Sequence, residues 1–364
     1  MKLRLVLVCA FLLASGCEPI VEKFDEEMPC QFYEARVKTP APPVGDALLV
    51  MTWNYRFGCG DKILWFGDAC GDRVILSAEE VLPVLDSVAA RINAIDPDVV
   101  LLQEVDIDAK RTAYIDQMQY LLDRTHLNYG VYASNWKSQF IPSDGLGRMD
   151  EGNAILSRWP LDEAVRYQLS LRNDLDDLTR LFYVRENVMQ ARVKVPGVDN
   201  FYAVCTHLSA FATDDTKKRQ LDECVAILHR LDTEGKRFVA GGDFNLLPPN
   251  ADSTDYCLEK ACPDEHFHSP GDDPFHKDGA NYTPEITWMQ VLFDDFKPSR
   301  TLAEYDADEA QNFTNKQVEP GHTWDTTLDY LFSNTAWVLD SHRAHQEAHE
   351  SDHCPVTALW TVPK

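Results

Sequence analysis

The feature that most constrains this chain is a series of apolar runs that each stop on a side chain able to bind a cation or move a proton. "LLVMTWN" ends in Asn54, "DVVLLQEV" carries Glu104, and "FYAVCTHLS" carries His207. "RFVAGGDFN" carries Asp243 and Asn245, "TLDYLF" opens towards Asp329, and "ESDHCPV" carries Asp352 and His353. Continuous apolar runs of this length suit strands buried on both faces. A buried strand delivers its terminal polar groups to one edge of the sheet, so several such strands can converge on a single site. Taken singly, Asn54, Asp243 and Asn245 suit turns, and a lone His207 suits a hydrogen-bonded core position. Glu104 is harder to dismiss, because a carboxylate inside an apolar run is costly to bury without a partner. The combination is more specific than any member.

The rest of the chain supplies the scaffold. "SAEEVLPVLDSVAARINAIDPD" spaces Val81, Leu85, Val88, Ala89 and Ile92 as one helical face, with Ser77 and Glu80 at capping-box spacing and Asp96-Pro97 as the stop. Pro83 either starts the regular helix or kinks it. A second helix is expected over about 213–231, with Leu221, Val225, Leu228 and Leu231 inward. Further strands are expected at "GNAILSR", "VMQARVKV", "LDYLFSN" and "PVTALWTV". These are too many strands for one doubly wound sheet with alternating helices. Two packed sheets flanked by helices fit better. Surface loops are expected across the acidic stretch 249–283.

The ordered set "TWN", "LQEV", "GNAILSRWP", "THLS", "GGDFN", "LDYLF" and "SDHCPV" resembles the endonuclease/exonuclease/phosphatase superfamily, the deoxyribonuclease-I-like proteins, from about Leu48 to Val362. The resemblance implies an α/β fold: a four-layer sandwich of two mixed sheets packed face to face, with helices outside. It implies a Mg²⁺-dependent hydrolase of phosphoester bonds, with Mn²⁺ or Ca²⁺ as alternative ions. Carried over by motif, Asn54, Glu104 and Asp352 are the metal residues. His353 activates or positions the attacking water and is oriented by Asp329. His207 stabilises or protonates phosphate oxygens, and Asp243 and Asn245 hold the nucleophile and a phosphate oxygen. Glu151 stands where deoxyribonuclease-like members place the carboxylate partner of the second histidine, His207. Asn153 helps with phosphate or caps its strand. The chemistry is coherent by itself: a phosphodiester is anionic and resists water, and a divalent cation offsets that charge in the transition state.

The N-terminus, "MKLRLVLVCAFLLASGC", has a short basic region and an apolar run too short to span a bilayer. Residues 1–16 are expected to be a signal peptide. "LASGC" resembles a bacterial lipobox, which makes Cys17 the acylated first residue, residues 17–45 a lipidated tether, and 46–364 the catalytic domain. The expected location is the bacterial cell envelope. Export permits disulfides; Cys59 with Cys70, and Cys257 with Cys262, are close enough to staple local loops. The glycine- and aromatic-rich insertion 57–74, "FGCGDKILWFGDACGDRV", is expected to form a rim over the active site.

Substrate identity rests on charge. With 34 Lys and Arg against 59 Asp and Glu, and a formal charge of −25, a broad basic nucleic-acid-binding face is not expected. Candidate phosphate-flanking cations are Lys137, Arg148, Lys217, Lys218 and Arg219. The expected partner is a phosphoester substrate, either nucleic acid or a phosphorylated small molecule or lipid head group, acted on by a monomer. The first reading is an envelope phosphodiesterase of nuclease type. The second is a phosphatase or phospholipase-like enzyme acting on inositol phosphates or head groups. A non-catalytic binding module with a relict site is the third, and the intact residue set speaks against it.

Overall fold

The computed structural model describes residues 20–67, 71–210, 212, 214–251, 285–316, 318 and 323–363. The signal segment and Cys17 lie outside these residues, as do Cys70, Cys257, Cys262 and the stretch 252–283. In chain order the described elements are β1 (Glu27–Pro29), β2 (Gln31–Glu34), β3 (Ala47–Asn54), α1 (Ala78–Ile95), β4 (Val99–Asp106), α2 (Gln117–Leu122), β5 (Tyr129–Ile141), β6 (Gly147–Ser157), β7 (Leu161–Gln168), α3 (Asp177–Phe182), β8 (Asn187–Val193), β9 (Phe201–His207), α4 (Thr216–Thr233), β10 (Arg237–Asp243), α5 (Gln290–Asp295), β11 (Lys297–Pro298), α6 (Leu302–Ala307), β12 (Asp329–Ser333), β13 (Arg343–Ala344) and β14 (Val356–Thr361).

The strands form two seven-stranded mixed sheets, in the orders β1-β7-β8-β9-β10-β12-β11 and β13-β14-β3-β4-β6-β5-β2. Period-two alternation sorts their side chains. Leu48 and Val50 of β3, with Val99 and Leu101 of β4, face the other sheet and meet Met189, Ala191, Phe201, Ala203 and Val239. Met51, Trp53, Val100 and Leu102 face outward and are covered by α1 through Val81, Leu85, Val88, Ala89 and Ile92. Burying each such aliphatic chain contributes about 1.5–3 kcal/mol. On the far side, α4 lays Leu221, Cys224, Leu228 and Leu231 on Val188, Tyr202, Phe238 and Phe332. The result is the expected sandwich: helix, sheet, sheet, helix.

α1 begins at Ser77, where the Glu80 carboxylate accepts the Ser77 N–H at 2.9 Å. Pro83 does not break it; the helix runs on to Ile95, because the one carbonyl that Pro83 leaves unpaired lies in the exposed first turn.

The segment expected as a tether is built into the fold from Val21 onward. Val21 bridges to Ser138, β1 adds to the edge of one sheet on β7, and β2 adds to the edge of the other on β5. These strands are too short and too polar to stand out in the sequence. Cys30, Cys205, Cys224 and Cys354 are buried free thiols. Cys59 is buried with its Sγ 3.8 Å from the Ile63 carbonyl, and the partner expected for it, Cys70, lies outside the described residues. Among the described residues no helix is long and apolar enough to cross a membrane.

Candidate active site

Strand direction explains why the polar residues meet. β3 and β4 run parallel, pairing Asn54 with Gln103. β9 and β10 run parallel and pair His207 with Asp243, while antiparallel β12 sets Asp329 against Asp243. β14 is antiparallel to β3, so Asp352 and His353, just before it, arrive at the same edge. All the predicted residues therefore reach the same end of the two sheets.

Two local irregularities aim the side chains. β4 carries a register shift between Leu102 and Val105, and Glu104 within it has φ 58°. A non-glycine residue at positive φ in a strand is strained, and such strain collects at working sites. In "GGDFN", Gly242 has φ 153°, and a Cβ there would lie 1.9 Å from the Thr206 carbonyl oxygen. Only glycine lets β10 approach β9 so closely beside His207 and Asp243. Asn245 follows at φ 50°. Its N–H donates to Asp243 Oδ1 at 2.9 Å, its side-chain amide donates to the Leu208 carbonyl at 2.9 Å, and its own carbonyl accepts from buried Lys217 at 3.2 Å.

At the centre, the Asn54 amide donates to Glu104 Oε1 at 2.9 Å and to Asp243 Oδ2 at 3.1 Å, tying carboxylates from two sheets together. Asp243 Oδ2 lies 3.4 Å from His207 Nε2 and 3.6 Å from His353 Nε2. The other nitrogen of His353 sits 2.7 Å from Asp329 Oδ2. Burial would push the His353 imidazole towards the neutral form, but the Asp329 and Asp243 carboxylates outweigh it and hold the pKa well above the ordinary value. The pair thus holds its proton more tightly than a free imidazole does. Asp352 receives the Ser351 hydroxyl at 3.0 Å and faces Arg56 Nε at 3.5 Å. The same Ser351 oxygen lies 2.9 Å from the Asn54 carbonyl, the alternative acceptor of its one proton, which ties the two loops together.

The residues suit a divalent cation. Four carboxylates, Glu104, Asp243, Asp329 and Asp352, share this edge with Asn54, and hard cations take such oxygen donors. Asp243, Asp329 and His353 are all buried and present ligand atoms within 4.8 Å of one another. Among the described residues Asp329 Oδ1 is buried with no hydrogen-bond partner. This cluster contains residues assigned by motif to proton transfer, beside the expected set of Asn54, Glu104 and Asp352.

Glu151 is at the site's margin but is not the partner of His207. Among the described residues no ion pair joins them. Glu151 pairs in register with Asp106, accepts from Asn135 at 3.4 Å, and has its carboxyl pushed well up by burial, with Glu104, Asp106 and Glu186 adding to the push and Arg111 opposing it. The acids near His207 are Asp243 and buried Glu186, whose carboxyl is raised by burial and eased by His207. Asn153 donates to Asn187 at 3.4 Å, which in turn donates to Asn135 at 2.5 Å. Sequence reasoning missed this layer: Asn135, Glu186, Asn187, Ser351, Arg56 and Arg111, which grips Asp106 through two bonds of 2.9 and 2.8 Å.

The insertion does border the site. Arg56 holds its start by bonds to the Gly60 and Ile63 carbonyls at 2.5 and 3.0 Å, and Asp61 pairs with Lys316 at 2.9 Å. Arg111 stacks 3.7 Å over Phe57 and 5.0 Å over Trp65. The five candidate phosphate-flanking cations all have acidic partners: Lys137 with Asp150, Arg148 with Asp108, Lys217 with Glu285, Lys218 with Asp222 and Arg219 with Asp215.

Comparison with known proteins agrees with this fold. The model of the Endonuclease/Exonuclease/phosphatase family matches residues 51–353. Among solved structures, an endonuclease/exonuclease/phosphatase from Beutenbergia cavernae DSM 12333 is 21% identical, with a TM-score of 0.56, over 87% of this chain and 72% of that one. A family protein from Leptotrichia buccalis C-1013-b is 15% identical, with a TM-score of 0.51, over 86% and 98%. The human Nocturnin catalytic domain, solved with bound sulfate, is 16% identical, with a TM-score of 0.50, over 92% and 98%. At these identities the likeness shows the shared fold. No curated protein matches the sequence.

Proposed function

The chain belongs to the endonuclease/exonuclease/phosphatase family, and from that membership and the site's geometry we propose that it is a Mg²⁺-dependent phosphodiesterase of the bacterial cell envelope. The observation that carries the reading is Asp243 Oδ2 set between the imidazoles of His207 and His353, with His353 held from behind by Asp329.

When bound, a divalent cation would offset negative charge on the phosphoryl oxygens and the leaving group. Glu104, Asn54 and Asp352 would hold it; Mn²⁺ and Ca²⁺ are alternatives to Mg²⁺. The chain's own groups divide the remaining work. Asp243, the acceptor between two imidazoles, takes the proton of the attacking water as the water oxygen bonds to phosphorus, in place of the His353 that the motif implies for that role. His353, held protonated, donates to the reacting phosphoryl group through Nε2. Asn245 orients Asp243 through its backbone N–H. The ester P–O bond breaks, and His207 donates the proton that the leaving oxygen needs. Well-placed donors and acceptors of this kind each contribute roughly 10²–10⁴-fold.

A second reading has its own support. All five candidate phosphate-flanking cations are paired with acids, so a long polynucleotide would compete for them. A phosphorylated small molecule or lipid head group needs fewer such contacts. We further propose export and acylation of Cys17, which Cys17→Ser tests by release from membranes. The substrate class is tested with a panel of plasmid DNA, single-stranded RNA, sphingomyelin, inositol phosphates and bis-p-nitrophenyl phosphate, each with Mg²⁺ or EDTA. Turnover only in Mg²⁺ supports the reading. Turnover of nothing would favour a binding module.

A further inference from the structure

We propose that the catalytic end of the sandwich faces the lipid bilayer, so that the active-site mouth opens towards the membrane surface; this rests on acylation at Cys17. The path of the N-terminal segment carries the argument. The Ile20 carbonyl accepts the Gln139 N–H at 2.8 Å and the Ser138 hydroxyl at 2.7 Å, and the Glu22 N–H donates to the Lys137 carbonyl at 3.0 Å. These contacts lie on the β5–β6 hairpin beyond the catalytic level, which Glu151 marks opposite Trp136. At about 3.3 Å per residue, Ile20 sits roughly 7–10 Å past that level. The chain then descends to β1, whose first residue pairs with Tyr167 near the end of β7. It therefore enters from the catalytic end.

Only residues 18 and 19 lie between Cys17 and this anchor point, three Cα-to-Cα steps in all. Three extended residues reach at most roughly 10 Å, so an acyl chain on Cys17 holds the hairpin at the lipid head groups and cannot let the domain turn over.

The surface at this end suits the contact. Ile20 is 64% exposed and Phe140, at the hairpin, is 58% exposed. Tyr114, in the loop after β4, and Leu178, in the connection from β7 to β8, are 53% and 68% exposed and lie on connections at the same end. Scattered exposed apolar residues mean little alone. Their position around the entry point of an acylated chain gives them a use: amphipathic tips that settle into the head-group layer and add to a single lipid anchor, which by itself binds weakly. At the opposite end Val37 is 84% exposed, next to segments bonded to Asn128 before β5, and Leu339 is 90% exposed, beside the Trp337–Trp360 bridge and the start of β3. Leu339 serves as the internal control.

The test is photo-crosslinking of the acylated full-length protein on vesicles of phosphatidylethanolamine and phosphatidylglycerol, with p-benzoylphenylalanine placed at Phe140 or at Leu339. Lipid adducts at Phe140 many-fold above those at Leu339 support the orientation. Equal adducts, or more at Leu339, overturn it, and so does a protein that fails to partition onto the vesicles. Turnover of bis-p-nitrophenyl phosphate by soluble Cys17→Ser reports separately on the catalytic reading.

Discussion

Asp329 Oδ2 lies 2.7 Å from His353 Nδ1, and both side chains are buried. The carboxylate fixes which nitrogen of the imidazole faces Asp243 and keeps the ring charged. Asp329→Asn keeps the shape but removes the charge. It should lower kcat by about 10²–10⁴-fold with little change in KM, and shift the pH profile of kcat. A profile and rate like wild type would show that His353 needs no partner.

Glu104 reaches the site only because its backbone adopts φ 58° in the β4 irregularity. Glu104→Gln should keep the fold and lose a hard anionic ligand. Turnover should fall by about 10²-fold or more, and the Mg²⁺ concentration for half-maximal activity should rise. Calorimetric titration of the cation provides a readout independent of catalysis.

Gly242→Ala puts a methyl 1.9 Å from the Thr206 carbonyl, where backbone on both sides is committed to the sheet. Destabilisation of about 3 kcal/mol or more is expected, read as a large drop in Tm. A Tm within a degree or two of wild type would mean that β9 and β10 can part without loss.

Stability should also carry a mark of His342, remote from the site. Burial and Arg300 hold its imidazole neutral, down to a pKa of about 3 from an ordinary 6.5. The unfolded chain takes up a proton below pH 6.5 that the folded chain refuses until about pH 3. Stability is thus full above the higher value and is lost as pH falls between the two, by about one proton's slope. His342→Gln should flatten that part of the curve of stability against pH.

The central residues were legible as an ordered set and not singly. Glu104 inside "LLQEV" has no cheap structural reason to be there, whereas Asp243 after two glycines suits a turn and gains weight only beside Glu104, His207 and "SDH". The supporting layer was not legible. Glu186, Asn135 and Asn187 sit in polar surroundings where such residues are ordinary, and only the register of β5, β6 and β8 brings them together. That register sets Glu151 opposite Asp106, and its side chain accepts from Asn135 and forms no ion pair with His207 among the described residues. β5 and β7 mix polar and apolar residues and gave no clean period. The edge strands β1 and β2 are three and four residues long, too short for any periodicity.

The most direct measurement is hydrolysis of bis-p-nitrophenyl phosphate by wild type and His353→Ala, each in Mg²⁺, in EDTA, and in EDTA with Mg²⁺ restored. The account predicts turnover by wild type in Mg²⁺, none in EDTA, recovery on restoring Mg²⁺, and a loss of orders of magnitude in His353→Ala throughout. EDTA-resistant turnover, or near-wild-type rates in His353→Ala, would contradict it.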